Sequence, residues 1–390
     1  MKIDEALKTA VNRRIPRNKE KVGIGLSGGL DSRIILHHLI NSEKGKQTKF
    51  FSFNYGINEN NMDSILSKKL ADLYNLDHQF VHIDYKKMLE KGLTYSEAEL
   101  GGLGFRCIPF YEEIRKRGIK TVFLGEFGDC SFGKDIKKDY LNIRNEESFA
   151  EELFNDWNRI IPYGEQNSFF QHHMHPYIEL SKKTILNLIK EHPNKNFGNT
   201  FNALNILEFE RRRCAANSIA GKDFVQVISP FLDYDFQDFI YKLPIGLKLN
   251  ERAAKEYVKK LNLISKIPRN TLEFFGNESL NARIWCYLLR IRHYLSRLFT
   301  KKIRIEAVKP IQLKGIDGKK LLSINWDFIT EILNNKNALW KNFFEPKTIK
   351  KILEKKPQKM TSWEVYFIDK LVSFELWLND IRKYLDDFSI

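Results

Sequence analysis

The sequence predicts an α/β fold, a parallel sheet with helices on both faces, followed by a mainly helical C-terminal region. Three observations predict it. Apolar runs of strand length recur at Val22–Leu26, Phe50–Phe53, Phe80–Ile83 and Thr121–Leu124. Patterns of helical period separate them, at Arg33–Leu39, Met62–Tyr74 and Ile108–Arg117. Beyond about residue 135 the strand runs fade and long helical patterns replace them. Strands alternating with helices build parallel sheets, because each crossover helix returns the chain to the same edge and covers a face on the way.

Taken in order, residues 1–20 read as a helical lead-in without the apolar core of a signal peptide. Val22–Leu26 is apolar without alternation, as expected of a strand buried on both faces. In Met62–Tyr74, Ile65, Leu66, Lys69, Leu70 and Leu73 fall at three- and four-residue spacing, the signature of a helix with one packed face. Residues 21–245 read as one domain whose α/β core ends near 135, and residues 246–390 as a helical extension. Within the helical part, Asn199–Gly221 is amphipathic and ends on glycine, which accepts the turn that closes a helix. Pro230 turns the chain, and Asp233 starts a helix whose first N–H groups its carboxylate can accept. Leu280–Leu298, Leu322–Asn334 and Trp363–Leu385 also read as helical. No internal repeat is visible.

Composition narrows the class. The net charge of +15 suits an anionic partner, or else a solvated surface of interspersed lysines. Much of the excess lies late, in Arg297–Arg304 and Lys347–Lys359, with no aromatic RNA-binding signature beside it. Cys107, Cys130, Cys214 and Cys286 never form C-x-x-C, which argues against a zinc ribbon, an iron–sulfur site or a disulfide framework. No apolar run approaches the ~18 residues that span a bilayer. The expectation is a soluble cytoplasmic protein with no membrane span.

The most informative stretch is "KVGIGLSGGLDSRIILHHLI", which satisfies two phosphate-binding patterns. Gly23, Gly25 and Gly28 spell G-x-G-x-x-G, and Ser27, Gly28, Gly29, Asp31 and Ser32 spell S-G-G-x-D-S. The first pattern needs a carboxylate after the second strand to hold a ribose, and here that strand ends in Asn54 and Tyr55. Gly23 and Gly25 would also lie within the strand rather than in the turn. A Walker A loop is excluded, because no Gly-Lys-Ser/Thr follows. The second pattern accounts for every polar residue. Two glycines admit phosphate oxygens to the backbone, Ser27 and Ser32 donate to them, and Asp31 belongs beside phosphate if it holds Mg²⁺.

With three further segments, this loop resembles the asparagine synthetase family, the synthetase domain of the ATP pyrophosphatase (PP-loop) superfamily. "LSGGLDSR" resembles the family's pyrophosphate loop and "FFSFNY" its second strand. "RCIPFYEEIRKRGIKTVFLGEFGDCSFG" is similar to its G-E-G-x-D-E-x-F-G-G segment, and "SPFLDYDFQDFIYKLP" to its P-F-L-D helix start. The resemblance implies an adenine nucleotide alpha hydrolase-like (HUP-type) fold that uses ATP and Mg²⁺. It implies that a substrate carboxylate attacks the α-phosphate, that pyrophosphate leaves into the loop, and that an amine then displaces AMP. It places Leu26, Ser27, Gly28, Gly29, Leu30, Asp31, Ser32, Phe53, Leu124 and Gly125 around the nucleotide, and Asp31 and Asp129 on the metal. Glu126 stands where amide-forming members carry a base, which an ammonium nucleophile needs before it can attack.

The departures fall on the acyl side. The family glutamate after Asp129 is Cys130, its next glycine pair is Gly133-Lys134, and its E-x-R is Gln226-Val227-Ile228. For the late R-x-K lysine the chain offers Lys266 near Arg269, with Lys255 as another possibility. Lys2 follows Met1, and only about 20 residues precede the first strand, so the glutaminase cysteine of full asparagine synthetases is not present. The expected partners are therefore a small-molecule carboxylate, ammonia or an amine, and a separate glutaminase as one nitrogen source. The leading expectation is an amide-forming, AMP-releasing ligase. The alternatives are an RNA-modifying PP-loop ATPase, which the charge would suit, and a nucleotide-binding relic without catalysis.

Overall fold

The computed structural model describes all residues except 1, 18–19, 57–58, 85–107, 158–160, 162–163, 211–217, 220, 264–265, 268–278, 286, 289–290, 292–317 and 389–390. Cys107, Cys214, Cys286, Arg269 and the basic run at 297–304 lie outside the described residues, as do much of the Leu280–Leu298 segment and the middle of Asn199–Gly221. The chain forms two compact units interleaved in sequence. One comprises Met1–Ile83, Pro109–Ile136 and Gly221–Ile316; the other comprises Asp84–Ile108, Lys137–Ala220 and Asp317–Ile390.

The first unit is built on a five-stranded sheet: β1 (Val22–Gly25), β2 (Phe50–Gly56), β3 (Asp77–His82), β4 (Thr121–Phe123) and β5 (Gln226–Ile228). Its order is β3-β2-β1-β4-β5, and every pairing is parallel. All four predicted strands are present. β3 begins earlier than its apolar run, because Asp77, His78 and Gln79 already pair with Phe51, Ser52 and Phe53. An edge strand needs no apolar residues on its outer side. β5 has no counterpart in the sequence reading: three residues are too few to show a period, and only Ile228 is buried.

Helices α1 (Lys2–Arg14), α2 (Leu30–Asn41), α3 (Met62–Leu73) and α4 (Ile108–Lys116) connect or cover the strands. The chain runs outward from β1 to β3 and returns to β4 across β1, and the right-handed rule for parallel crossovers assigns α2 and α3 to one face and α4 to the other. Val22, Ile24, Val122 and Phe123 of the central strands are fully buried, with Ile34, Ile35 and Leu39 of α2. Asn61 caps α3 by accepting from Ser64 N–H at 2.9 Å. A buried polar chain then runs from Asn61 to the Ser64 hydroxyl at 2.7 Å, and from that hydroxyl to Asn54 Oδ1 at 3.0 Å. Asn54 in turn donates to the Leu26 carbonyl at 2.7 Å. The residue at the place of a ribose-binding carboxylate is thus committed to holding the end of β1.

α1 packs through Leu7, Ala10 and Val11, each fully buried. Its Asp4 accepts from Tyr257 Oη at 2.8 Å, and His38 Nε2 lies 2.7 Å from the same hydroxyl. Because that hydroxyl gives its proton to Asp4, His38 must be the donor, which fixes the neutral Nε2–H tautomer. Burial, reinforced by His37 and opposed by Asp4, lowers the His38 pKa to about 4. Neutral His38 therefore favours the folded state above its unfolded pKa of about 6.5, and that contribution fades as pH falls toward 4. We expect the first unit to lose about 2 kcal/mol from this group between pH 7 and pH 5. Urea midpoints at both pH values should show a correspondingly smaller loss in His38→Gln.

The second unit is helical. Glu146–Trp157 packs on His175–Glu191, and a second core gathers Phe169, Leu333, Trp340, Ile349, Phe367 and Ile368. Its last helix, Ser362–Phe388, contains the predicted Trp363–Leu385 segment. The predicted Leu322–Asn334 helix is broken at Asn325 into Gly318–Ile324 and Trp326–Asn334. Asn325 is in a non-helical conformation, and its amide donates to Leu321 O at 3.0 Å. Buried Glu375 accepts from the N–H groups of Leu339 and Trp340 at 2.9 and 2.7 Å, closing the turn before Pro346. No described helix is long and apolar enough to cross a membrane.

Candidate active site

Strand order reverses between β1 and β4. In open parallel sheets the crevice beyond the carboxyl ends of such neighbours is where ligands bind. The two loops carrying the predicted site residues, after β1 and after β4, both leave from this crevice. The structure therefore brings the S-G-G-x-D-S and G-E-F-G-D segments together at one sheet edge.

The first loop is organised by its two hydroxyls. Ser27 Oγ accepts from Gly29 N–H at 3.1 Å and lies 3.2 Å from Ser32 Oγ. Ser32 Oγ also accepts from Ser27 N–H at 3.2 Å. Helix α2 then opens on Gly29 with no side-chain cap. The N–H groups of Leu30, Asp31 and Ser32 have no carbonyl of their own helix to donate to, and they carry the positive end of its dipole. Such a start is an anion site, and serines flanking it suit phosphate. Gly23 and Gly25 lie within β1 rather than in the turn. A Cβ on Gly25 would fall 2.3 Å from Leu124 Cδ2, so this glycine serves strand packing. Leu26 donates its N–H to Phe53 O at 2.8 Å, and Leu124 donates to Ile228 O at 2.9 Å. These N–H groups are taken up in continuing the sheet, and the Leu26 carbonyl already accepts from Asn54 at 2.7 Å.

The second loop leads into the short helix α5 (Gly128–Ser131). Its two glycines make room for α2. A Cβ on Gly125 would meet Ser32 N at 2.6 Å, and one on Gly128 would meet Asp31 Cγ at 2.5 Å. The first turn of α2, Asp31 included, lies directly against this loop. Between the glycines, Phe127 is buried and holds φ 66°, ψ 0°, left-handed values that cost a side-chain-bearing residue about 1 kcal/mol. Cys130 is buried, with Sγ donating to Phe127 O at 3.2 Å, and serves packing.

Asp129 is anchored at both oxygens: Oδ1 accepts from Cys130 N–H at 2.8 Å, and Oδ2 from Lys134 Nζ at 2.8 Å. Burial works to lower the Lys134 pKa, but Asp129, Glu251 and Asp31 more than offset it and hold the ammonium above the usual lysine range. The loop is braced from behind by the P-F-L-D segment. Ser229 Oγ donates to Glu126 O at 2.6 Å, and Gln237 Nε2 donates to Ser131 Oγ at 2.7 Å. Asp233 caps the Tyr234–Tyr241 helix, as predicted, by accepting from Asp235 and Phe236 N–H at 3.0 and 3.4 Å. It also pairs with Arg14 at 2.5 Å.

Lys266 is exposed, and no hydrogen bond or ion pair among the described residues joins it to either loop. Its segment is nonetheless fastened to the first loop by buried Arg33, which donates to Gly28 O at 3.1 Å and to Ile267 O at 2.5 Å. Lys255 lies one turn into the Arg252–Lys260 helix, which follows Glu251. Sequence reasoning missed Arg33, although a charged residue directly before Ile34, Ile35 and Leu36 is a signal of buried polar work. Gln226-Val227-Ile228, noted as a departure, is strand β5.

The residues fit ATP and Mg²⁺: an uncapped helix start, two hydroxyls, and glycines that bring Asp31 against the second loop. Among the described residues, no three His, Cys, Asp or Glu side chains cluster as a metal site by themselves.

A family model described as asparagine synthase matches residues 2–272. Among curated proteins, the 7-cyano-7-deazaguanine synthase of Methanocaldococcus jannaschii is 26% identical over 153 residues, 36% of this chain and 65% of that protein. The 7-cyano-7-deazaguanine synthase of Thermoplasma acidophilum is 31% identical over 109 residues, 27% of this chain and 43% of that protein. The chain thus spans less than two thirds of the length of either relative. Among solved structures, the U34-tRNA thiolase NcsA of Methanococcus maripaludis, solved with its [4Fe-4S] cluster, aligns over 83% of this chain and 88% of its own at 13% identity. Its TM-score is 0.26, too low to support an argument.

Proposed function

Because the chain belongs to the asparagine synthase family, as an ATP-using enzyme of PP-loop type, we propose that it adenylates a substrate carboxylate and passes the activated carbon to a nitrogen nucleophile. The observation that carries this is the uncapped start of α2, with Asp31 lying against the Gly125–Gly128 loop at the switch point. A carboxylate oxygen bonds to the α-phosphorus, the α–β anhydride bond breaks, and pyrophosphate departs with the electron pair. Nitrogen then bonds to the acyl carbon and AMP leaves. The N–H groups at the start of α2 and the Ser27 and Ser32 hydroxyls receive the charge developing on the leaving group, the largest barrier-lowering effect available to such a site. Bound Mg²⁺ supplies further charge neutralisation there, with Asp31 and Asp129 as the residues to hold it. Glu126, its backbone fixed by Ser229, takes the proton from the nitrogen.

The acceptor divides two readings. In the first it is a small carboxylate such as aspartate, with ammonia, an amine or a separate glutaminase supplying nitrogen. In the second the chain is an RNA-modifying PP-loop ATPase. The net charge of +15 favours the second, and the two curated relatives, named as synthases of a cyano-deazaguanine, favour a nucleobase-like acceptor over aspartate. A nitrile stands at the oxidation level of a carboxylic acid, so a base-borne carboxylate fits the same first step. The test is product analysis with labelled ATP and Mg²⁺, supplying in turn aspartate with ammonium, a carboxylated purine-like base with ammonium, and tRNA. AMP and pyrophosphate in equal amounts are expected with the true acceptor; ADP and phosphate would sink adenylation. If tRNA is the acceptor, its binding should weaken steeply with salt.

A further inference from the structure

We propose that Lys134 is a phosphate-binding side chain of this site, held ready by Asp129 and released to the β- and γ-phosphates of ATP or to the departing pyrophosphate. The inference rests on the ATP-using reading above. Its basis is the way the second loop ends. Gly133 takes φ +84°, and a Cβ there would lie 2.9 Å from both Cβ and O of Lys248, so the chain reverses where only glycine fits. The reversal brings Lys134 back over α5, where its N–H donates to Asp129 O at 3.1 Å and its Nζ to Asp129 Oδ2 at 2.8 Å.

Both side chains stay accessible, with 49% and 41% of their surface exposed, so an arriving anion can reach the ammonium. Asp129 is itself oriented by Cys130 N–H at 2.8 Å, which fixes the position from which Lys134 would be released. A pyrophosphate group arriving at α2 would meet the carboxylates of Asp31 and Asp129 in the same crevice. Like charges there are strongly unfavourable without a cation between them. Lys134 is the lysine that hydrogen bonds place in the described loops, and an ammonium–phosphate contact is a strong charge-assisted hydrogen bond.

Titration calorimetry with inorganic pyrophosphate on the full chain, with and without Mg²⁺, tests the proposal. Lys134→Met should weaken pyrophosphate binding about tenfold or more, the loss of one charge-assisted contact. Lys134→Arg should restore most of it. Asp129→Asn, which releases Lys134, should bind pyrophosphate at least as well as wild type without Mg²⁺, whereas a lysine that merely braces the loop predicts a loss. Equal affinity of wild type and Lys134→Met, or a tenfold loss in Asp129→Asn without metal, would overturn the assignment while leaving the ATP site standing. Failure of the wild-type chain to bind pyrophosphate at all would overturn both.

Discussion

Gly125→Ala is expected to lower pyrophosphate release about a hundredfold or more while the chain still folds. The added methyl would sit 2.6 Å from Ser32 N and 2.8 Å from Asp31 C. Both are backbone atoms of the first turn of α2, so no rotamer change can relieve the overlap. The helix start must retreat from the second loop, or the loop from the helix. Either movement separates the N–H groups proposed to receive the leaving group from Asp129 and Glu126, and a displacement of about 1 Å is enough to cost roughly a hundredfold. The stability cost should stay near 1–3 kcal/mol, the usual range for overpacking. Gly128→Ala tests a different contact, since its methyl would meet the Asp31 side chain at Cγ and Oδ1. Turning the carboxylate away relieves those two contacts but not the one to Asp31 Cβ at 2.8 Å, so activity should fall and part of the stability cost should remain. Gly246, where a Cβ meets nothing within 4 Å, provides the control. Release rates and thermal midpoints on the three variants check the argument, and full activity in Gly125→Ala would refute the close approach of the loops.

The local chemistry of this site was legible in the sequence, and its long-range fastening was not. The turn at Ser27–Ser32 was legible because its serine hydroxyls act on atoms within five positions of themselves. The helix cap at Asp233 is local in the same sense, accepting from Asp235 N–H two positions on. Four strands announced themselves by apolar runs, whereas β5, three residues long, had no length in which to show a pattern. Arg33 reaches Ile267 across 234 positions, and no spacing rule predicts such a pair. Phe127 was invisible for another reason: its left-handed backbone is imposed by the surrounding loop against the preference of its own side chain. The interleaving of the two units has the same origin, since it depends on where residues 221–316 return in space.

Asp233→Ala is expected to cost about 2–3 kcal/mol, below the range for a fully buried ion pair because Arg14 keeps 30% of its side chain exposed. Three interactions end together in this substitution. Arg14, 219 positions away, loses its carboxylate partner at 2.5 Å, and Arg13 loses a weaker one at 3.6 Å. The Tyr234–Tyr241 helix also loses its cap, worth about 1 kcal/mol. Asp233→Asn separates these contributions, because its amide oxygen can still cap the helix while the charge is gone; it should recover about 1 kcal/mol of the loss. Burial tends to raise the Asp233 pKa, but Arg14, the Phe236 N–H and Arg13 outweigh it and hold the carboxyl below its ordinary value. A depressed pKa means that this stability is present above the unfolded value near 3.8 and disappears as pH falls below it. The consequence reaches the site, because the capped helix carries Gln237, whose amide holds Ser131, and Ser229 just before it holds Glu126. Hydrogen exchange should therefore show lost protection in α1, in Tyr234–Tyr241 and in the loop after β4 of Asp233→Ala. Protection lost in the first two but unchanged in the loop would mean that the brace does not transmit to Glu126.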